Sequence, residues 1–230
     1  MTESVLVGIS GKIASGKDYL TTKLVNSLSE RNLTYGQTAF AYPLKKECDQ
    51  IINMIRIRPL LKDSELAAII AQLMDFEVED GLRLVQILRP ELLANPDITA
   101  YSRTVAVRSA LQILGTEIRR RQNPAYWTDK FLRAAELSRK DVFFASDGRF
   151  PNEMDTIVDN YGAAIRLDIP EEILKQRREG RDDVIYTPEQ LNHLSETALD
   201  DYPRFDIRVG VQFNASELVD QMLEISVAKR

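Results

Sequence analysis

The sequence predicts an α/β fold in which a parallel sheet lies between helices on both faces. Short apolar runs that suit buried strands alternate along the chain with longer segments of helical periodicity. The first run, residues 5–9, leads through a glycine-rich turn directly into a helical pattern. Because the run carries no polar side chain, it suits a strand that is covered on both faces, as strands of parallel sheets are.

The N-terminal part of the chain is predicted to hold two strand–helix pairs. The helix after the turn has one apolar face, formed by Leu20, Leu24, Val25 and Leu28. Residues 34–41 predict a second strand, which ends before Pro43. Residues 44–57 then alternate charged and apolar groups at helical spacing, which indicates a second helix.

The segment from 58 to 100 is predicted to be a helical insertion over one edge of the sheet. It contains Pro59, Pro90 and Pro96, which interrupt regular structure, and one clear helical pattern at 64–74. We therefore expect a single domain over 1–230 in which residues 47–100 form an insertion rather than a second domain.

Three helices and three strands are predicted in the remainder before the last helix. Residues 103–121 and 125–138 have helical periodicity, with Asn123-Pro124 between them. The apolar face of the first is made by Val107, Leu111, Leu114 and Ile118. The runs 142–146, 163–169 and 206–211 predict strands. A charged helix at 171–179, a polar loop to about 187 and a closing helix at 215–227 complete the chain.

Composition excludes several classes of protein. The 230 residues carry a formal net charge of −5, which argues against a protein that binds nucleic-acid polymers mainly through their phosphates. The single cysteine, Cys48, excludes an intramolecular disulfide, and the single histidine excludes a site that needs two. No signal peptide or membrane-spanning run is recognisable, so we expect a soluble cytoplasmic protein without a membrane partner.

The strongest functional motif is a phosphate-binding loop. Residues 11–17 match G-x-x-x-x-G-K and lie directly between the first strand and the first helix. Glycines let the backbone curl around a phosphate, and the helix N-terminus directs N–H groups at the anion. We expect ATP to be bound by Gly11, Ile13, Ala14, Ser15, Gly16, Lys17, Asp18 and Tyr19. The alternative is a glycine turn at a helix start, with Asp18 as the N-cap.

The position that follows Lys17 departs from the usual motif. A Ser or Thr hydroxyl normally holds Mg²⁺ there, whereas this chain has Asp18 followed by Tyr19. Asp18 is therefore a candidate metal ligand, directly or through water, unless ATP oxygens hold most of the metal. The predicted cofactors are ATP and Mg²⁺.

A second acidic position follows the buried run 142–146. Asp147 ends that strand, where an acid in P-loop proteins faces Mg²⁺ or its water shell, and Arg149 stands two residues later. The guanidinium of Arg149 is a candidate for neutralising charge on the transferred phosphoryl group. The alternative is an Asp-Gly turn with a surface arginine.

Three arginines occur in and just after the charged helix at 171–179. We expect Arg177, Arg178 and Arg181 to be carried to the ATP phosphates by a lid at about 171–200, with Arg178 acting in catalysis. The alternative is a solvated charged face.

Other side chains are weaker candidates for binding. Arg108 and Gln112 share a helix face and could offer a cation and an amide to a ligand, or form an exposed polar stripe. Trp127 suits a core anchor better than a base-stacking platform. His193 suits a solvated loop better than an acid or base.

Several blocks of the sequence resemble bacteriophage-type deoxynucleoside monophosphate kinases, a branch of the P-loop nucleoside monophosphate kinases. The blocks are SGKIASGKD at 10–18, FAYPLKK at 40–46, LQILGTEIRR at 111–120, SDGRFPNE at 146–153 and HLSETALD at 193–200. They run across most of the chain in the family's order, and LGTE and FPNE are the most specific. Residues 47–100 match nothing in the family.

The resemblance implies a P-loop NTPase-type three-layer fold with a five-stranded parallel sheet, a monophosphate-binding region and a lid. It implies the reaction of ATP with a deoxynucleoside monophosphate (dNMP) to give ADP and the diphosphate, in a host cytoplasm if a phage encodes the chain. On matching positions, Lys45 lies near the monophosphate, and Arg108, Gln112 and Glu117 line the acceptor site, with Trp127 nearby. Asp147 and Arg149 stand at the reaction centre, and Asn214 touches adenine.

The match leaves alternatives open. Family members commonly have Thr where this chain has Tyr19, and an aromatic residue after Gly-Lys-Asp also resembles animal-type phosphomevalonate kinases. The LGTE and FPNE blocks favour the nucleotide kinase. A non-catalytic nucleotide-binding protein is the other alternative, although the arginines favour an enzyme. A homodimer is a further expectation.

Overall fold

We describe a computed structural model of the chain, which covers residues 4–180 and 191–230. Within these ranges no helix is both long and apolar enough to cross a membrane. The described residues fall into two compact units. One comprises 4–40, 128–180 and 191–230, and contains the sheet. The other, which we call the helical unit, comprises 41–127. The predicted single domain with an insertion at 47–100 stays a prediction.

The sheet has five strands. They are β1 Val5–Gly11, β2 Tyr35–Thr38, β3 Val142–Gly148, β4 Ala163–Leu167 and β5 Ile207–Val209. All neighbouring strands are parallel, in the order β2-β3-β1-β4-β5. The register places Val7 of β1 between Phe144 of β3 and Ala163 of β4. This confirms the predicted fold class. The two edge strands, β2 and β5, are shorter than the predicted strands at 34–41 and 206–211.

The helices of the sheet-containing unit include the predicted ones that follow the first strand, precede the third, follow the fourth and close the chain. They are α1 Lys17–Glu30, α7 Tyr126–Ser138, α8 Pro151–Asp159, α9 Glu171–Glu179, α10 Leu194–Thr197 and α11 Ala215–Lys229. α7 begins two residues before the unit boundary. Neither α8 nor α10 was predicted. The four residues of α10 carry too little periodicity to mark a helix.

Alternate strand residues bury the two faces of the sheet in separate cores. Val7 and Ile9 pack with Leu20, Leu24 and Leu28 of α1 and with the apolar side of α11. The other face includes Leu6 and Phe143, which pack with apolar residues of α7 and α8. Since side chains of a strand alternate between faces, one continuous apolar run supplies both cores. The helices therefore lie on both sides of the sheet, and the carboxyl ends of its strands share one edge.

The helical unit contains four longer helices. They are α2 Ala41–Arg56, α3 Asp63–Met74, α4 Val78–Ala94 and α5 Val105–Gln112, followed by a π-helical segment Ile113–Arg119 and one α-helical turn, α6 Arg120–Gln122. α4 was not predicted, because Pro90 suggested an interruption. The helix continues through Pro90 because its stripe Leu84, Leu88 and Leu92 is buried in the unit's core. Tertiary packing outweighs the loss of one helical hydrogen bond.

The predicted helix at 103–121 changes geometry half-way along. It is capped by Thr104, whose hydroxyl accepts from the N–H of Val107, and turns π-helical after Gln112. The carbonyl of Gly115 accepts a hydrogen bond of 3.0 Å from the indole of Trp127. A Cβ at Gly115 would lie 2.9 Å from Leu44. Both contacts that stabilise the π-helical segment are therefore made at Gly115: the hydrogen bond from the Trp127 indole and the close approach of Leu44.

A buried charge cluster joins three segments of the helical unit. Arg119 donates to Glu47 at 2.8 Å, and Tyr126 donates to the other carboxylate oxygen at 2.6 Å. Arg119 and Glu47 are 5% and 8% exposed. Burial and the hydrogen bond to Glu47 raise the pKa of the Tyr126 phenol above its usual range. Removing one partner of such a buried pair destabilises the fold, because the other charge is left buried without compensation.

Replacing Arg119 by Met should lower the free energy of unfolding by about 3 kcal/mol, because Glu47 keeps its charge but loses its cation. Arg83→Met is the matched control. Arg83 pairs with Glu117 at 2.7 Å on the surface, and the buried Asp80 at 3.8 Å keeps Arg121 as its closer partner. The loss of Arg83 should therefore cost less than about 1 kcal/mol. Urea unfolding of both variants measures the difference. Equal losses would contradict the account.

Candidate active site

The loop between β1 and α1 curls tightly enough to enclose an anion. A Cβ at Gly11 would lie only 2.5 Å from the Ser15 hydroxyl. Gly16 has φ +96° and Ala14 has φ +67°, so two residues adopt the left-handed conformation. The first N–H groups of α1 have no intrahelical acceptor, as at any helix start. A tight glycine loop that leads into a helix N-terminus is the arrangement that the motif predicts.

Two polar groups in the loop are placed so that a ligand can bind them. The hydroxyl of Ser15 is buried and has no hydrogen-bond partner within the described ranges. Lys17 turns its ammonium back to the loop carbonyls of Gly11 at 2.5 Å and Lys12 at 3.1 Å. A buried hydroxyl without a partner costs free energy unless a ligand supplies one. Both groups therefore fit a bound polyphosphate.

Charged side chains surround Lys17. Burial, and after it the charge of Arg149, lower the pKa of Lys17 to about 8, although Glu196, Asp147 and Asp18 oppose the shift. Asp147 ends β3, and its carboxylate accepts from the N–H of Phe40 at 2.6 Å. The structure thus brings together four predicted residues, namely Lys17, Asp18, Asp147 and Arg149. It adds Glu196, to which the sequence analysis gave no role.

The FPNE block positions the backbone at Arg149. Glu153 is 2% exposed and accepts from the N–H groups of Arg149 at 2.8 Å and Phe150 at 3.1 Å. Pro151 is the first residue of α8, where its missing N–H costs nothing. The block therefore caps α8 and fixes the turn from which the Arg149 side chain extends.

Glu196 contacts the phosphate loop directly. One carboxylate oxygen accepts from the N–H of Ile13 at 2.9 Å, and the other pairs with the guanidinium of Arg149. Its side chain is only 5% exposed. The sequence could have pointed to Glu196 only through its place in the HLSETALD block. One acidic residue in a polar segment does not show which loop it contacts.

The predicted lid arginines behave differently from one another. Arg177 donates to the loop carbonyls of Ser15 at 2.8 Å and Ala14 at 3.3 Å. Arg178 pairs instead with Glu171 of its own helix, so no described contact places it at the loop. Arg181 lies outside the described residues. The catalytic role of Arg178 and the lid at 171–200 remain predictions.

A cavity of about 540 Å³ opens beside the phosphate loop. It is lined by Ala14, Ser15, Gly16, Tyr19, Leu167, Ile169, Arg177, Gly180, Gly210, Val211 and Phe213. The ring of Tyr19 meets that of Phe213 edge to face, with centroids 6.0 Å apart. Its size and apolar walls are those of a small-ligand site. The sequence analysis missed Phe213, because it follows a strand of only three residues.

Asn214 has a structural role, and its predicted contact with adenine stays a prediction. Its side-chain oxygen accepts from the N–H groups of Ser216 at 3.0 Å and Glu217 at 3.4 Å, which makes it the N-cap of α11. It is not among the residues that line the cavity. Its neighbour Phe213 does line the cavity.

The predicted acceptor residues lie in the helical unit. The ammonium of Lys45 stands 4.7 Å from the ring centre of Tyr101, and Arg108 and Gln112 are exposed along α5. Glu117 is paired with Arg83 on the surface. Trp127 is 2% exposed and donates to a backbone carbonyl, so its ring has no free face for a base. Trp127 is therefore packed as a core anchor, the interpretation that the sequence favoured, and its role in substrate binding stays a prediction.

The acidic groups near Lys17 fit a metal held mainly by substrate. No group of three or more His, Cys, Asp or Glu side chains is arranged to hold a metal in the part of the chain that the structure describes. Asp18 and Asp147 both act electrostatically on Lys17. Mg²⁺ commonly takes one or two carboxylates together with substrate phosphates and water. These two carboxylates would hold it in that way.

Comparisons with known proteins identify no family for this chain. No protein-family model matches the sequence, and no curated protein matches it. Among solved structures, the chain is similar to a protein of Thermus thermophilus (12% identity, TM-score 0.44, covering 99% of this chain and 98% of that one). It is also similar to dephospho-CoA kinase from Campylobacter jejuni (11%, 0.41, 99% and 98%) and shikimate kinase from Aquifex aeolicus (15%, 0.38, 97% and 96%). Likeness at this level identifies neither activity nor substrate.

The lowered pKa of Lys17 predicts how ATP binding depends on pH. A polyanion needs the protonated ammonium, and that form is lost as pH rises through about 8. The association constant for ATP should fall about tenfold per pH unit above that value, until the higher pKa of the complex is reached. Lys17→Arg keeps its charge and should show a flat profile. Titration calorimetry between pH 7 and 9.5 tests this, and a flat profile for the unaltered protein would contradict it.

Proposed function

We propose that the protein is a kinase that transfers the γ-phosphoryl group of ATP to the 5′-phosphate of a dNMP, giving ADP and the diphosphate. The observation that carries the proposal is the convergence of Asp147, Arg149 and Arg177 on the phosphate loop around Lys17. A protein that only bound ATP would have little need for so many charged groups at the outer phosphates.

The donor nucleotide is assigned to the sheet-containing unit. The loop N–H groups and the Ser15 hydroxyl bind the phosphates, and Lys17 exchanges its carbonyl partners for phosphate oxygens. The adjoining cavity takes the nucleoside, with Tyr19 and Phe213 against the base. Arg177 holds the loop carbonyls and so keeps the donors of the loop in place.

The chemistry needs charge stabilisation and orientation more than a covalent catalyst. Lys17 and Arg149 spread the negative charge that develops on the transferred group. Bound Mg²⁺ supplies further neutralisation at the donor phosphates. Asp147 is fixed by the N–H of Phe40 and, with Asp18, is the group available to hold that metal or its water. The reaction requires no side-chain base, so it does not need His193 as an acid or base.

The acceptor is assigned to the helical unit. Lys45 supplies a cation for its phosphate, and Arg108, Gln112 and Glu117 supply charge and hydrogen-bonding groups. Tyr101 is 54% exposed beside Lys45 and offers an aromatic face that a base can use. An isoprenoid phosphate has no planar base, so this pairing favours a nucleotide over the phosphomevalonate alternative. A cytoplasmic location and a homodimer stay predictions.

A coupled assay of ADP formation with ATP–Mg²⁺ and each common dNMP tests the proposal. We expect turnover of at least one dNMP, and a loss of at least about 100-fold in kcat/KM for Lys17→Ala. Lys175→Ala, which removes an exposed lysine from α9, is the matched control and should be unaffected.

Two results would contradict the proposal. A folded protein that binds ATP but turns over no dNMP would be the non-catalytic alternative. Turnover of mevalonate 5-phosphate in the same assay, without turnover of any dNMP, would identify the other kinase class.

A further inference from the structure

The segment that follows residue 190 in the described part of the chain is anchored on both sides of Glu196. His193 caps α10 by accepting from the N–H of Ser195 at 3.2 Å. Leu199 and Tyr202 are buried in the core on one face of the sheet. Asp200 pairs with Lys12 of the phosphate loop at 2.9 Å and with the buried Arg166 at 2.8 Å. Glu196 is therefore held at the loop by its neighbours.

The carboxylate of Glu196 has the bonding pattern of a bound phosphate. It is buried, it accepts from the backbone N–H of Ile13, and it pairs with Arg149. Backbone N–H groups and arginine are the groups that bind phosphate oxygens in proteins. A buried carboxylate needs such partners, and the loop supplies them to it.

The location within the loop indicates which phosphate the carboxylate replaces. The N-terminus of α1, from Gly16 onward, is the part of a phosphate loop that holds the inner phosphates, and the lysine reaches the outer ones. Ile13 precedes this part of the loop, and Arg149 lies beside Lys17. The groups that Glu196 occupies are therefore those on the side of the outermost phosphate.

We propose that Glu196 occupies the position of the donor's γ-phosphate and holds the Ile13 N–H and Arg149 until that phosphate displaces it. The inference rests on the proposed kinase function for the identity of the donor. A carboxylate and a γ-phosphate carry the same sign of charge, so they cannot share this position. ADP lacks the γ-phosphate and binds with Glu196 in place.

The exchange gives Glu196 a role at both ends of the reaction cycle. When ATP binds, the γ-phosphate takes Arg149 from Glu196, which places the guanidinium on the group to be transferred. After transfer the γ-position is empty, and the carboxylate regains its partners. Glu196 is a positioning residue in this scheme, because it acts on the substrate through Arg149 and the loop.

A purely structural role for Glu196 leads to the opposite expectation. If the carboxylate only held the loop in shape, its removal would loosen the loop and weaken every nucleotide. If it occupies the γ-position, its removal relieves a like-charge repulsion that ATP meets and ADP does not. The ratio of ATP to ADP affinity therefore separates the two roles.

Titration calorimetry with a non-hydrolysable ATP analogue and with ADP, each with Mg²⁺, tests the proposal on Glu196→Gln. We expect the analogue to bind about tenfold tighter or more than to the unaltered protein, with ADP changed by less than about twofold. Asp201→Asn removes the same charge from an exposed neighbouring position and should leave both affinities unchanged. Unchanged or weaker binding of the analogue to Glu196→Gln would overturn the proposal.

Hydrogen exchange of the unaltered protein gives a second test that needs no variant. The analogue should raise amide exchange at residues 194–198 by several-fold relative to ADP, because only the analogue displaces Glu196. Equal exchange in the two complexes would overturn the proposal. Both tests read binding alone, so a failure to turn over any dNMP would remove the proposed reaction without deciding the place of Glu196.

Discussion

The tight curl of the backbone between β1 and α1 is the constraint on which the site depends. Gly11 passes so close to the Ser15 hydroxyl that a side chain would not fit, and Gly16 takes a left-handed conformation at the start of α1. With the loop closed in this way, Lys17 returns to its own carbonyls and the Ser15 hydroxyl stays without a partner. A polyphosphate satisfies both groups at once.

Charges around the loop are arranged in pairs that a ligand can replace. Arg149 is paired with Glu196, and Lys12 with Asp200, while Arg177 binds carbonyls of the loop itself. The net charge of −5 is therefore compatible with a phosphate site, because the cations are gathered and locally balanced. In the proposed function, anionic substrates bind by exchanging partners with these groups.

The sequence predicted the features that follow from local patterns and missed those that depend on distant contacts. The strands, α1 and the loop follow from apolar runs and glycine spacing. The π-helical segment at Ile113–Arg119 could not be predicted, since it depends on Trp127 and Leu44. The passage of α4 through Pro90 depends on core packing. Glu196 was missed because its partner Ile13 lies 183 residues away.

The central claim is that residues 11–17 bind the phosphates of a nucleotide. A crystal structure of the protein with ADP and Mg²⁺ tests it most directly. We predict that the β-phosphate lies within the loop, with the Ser15 hydroxyl and the Lys17 ammonium bonded to it and the base in the cavity beside Phe213. ADP bound elsewhere, or Lys17 still bonded to the carbonyl of Gly11 with nucleotide present, would contradict the claim.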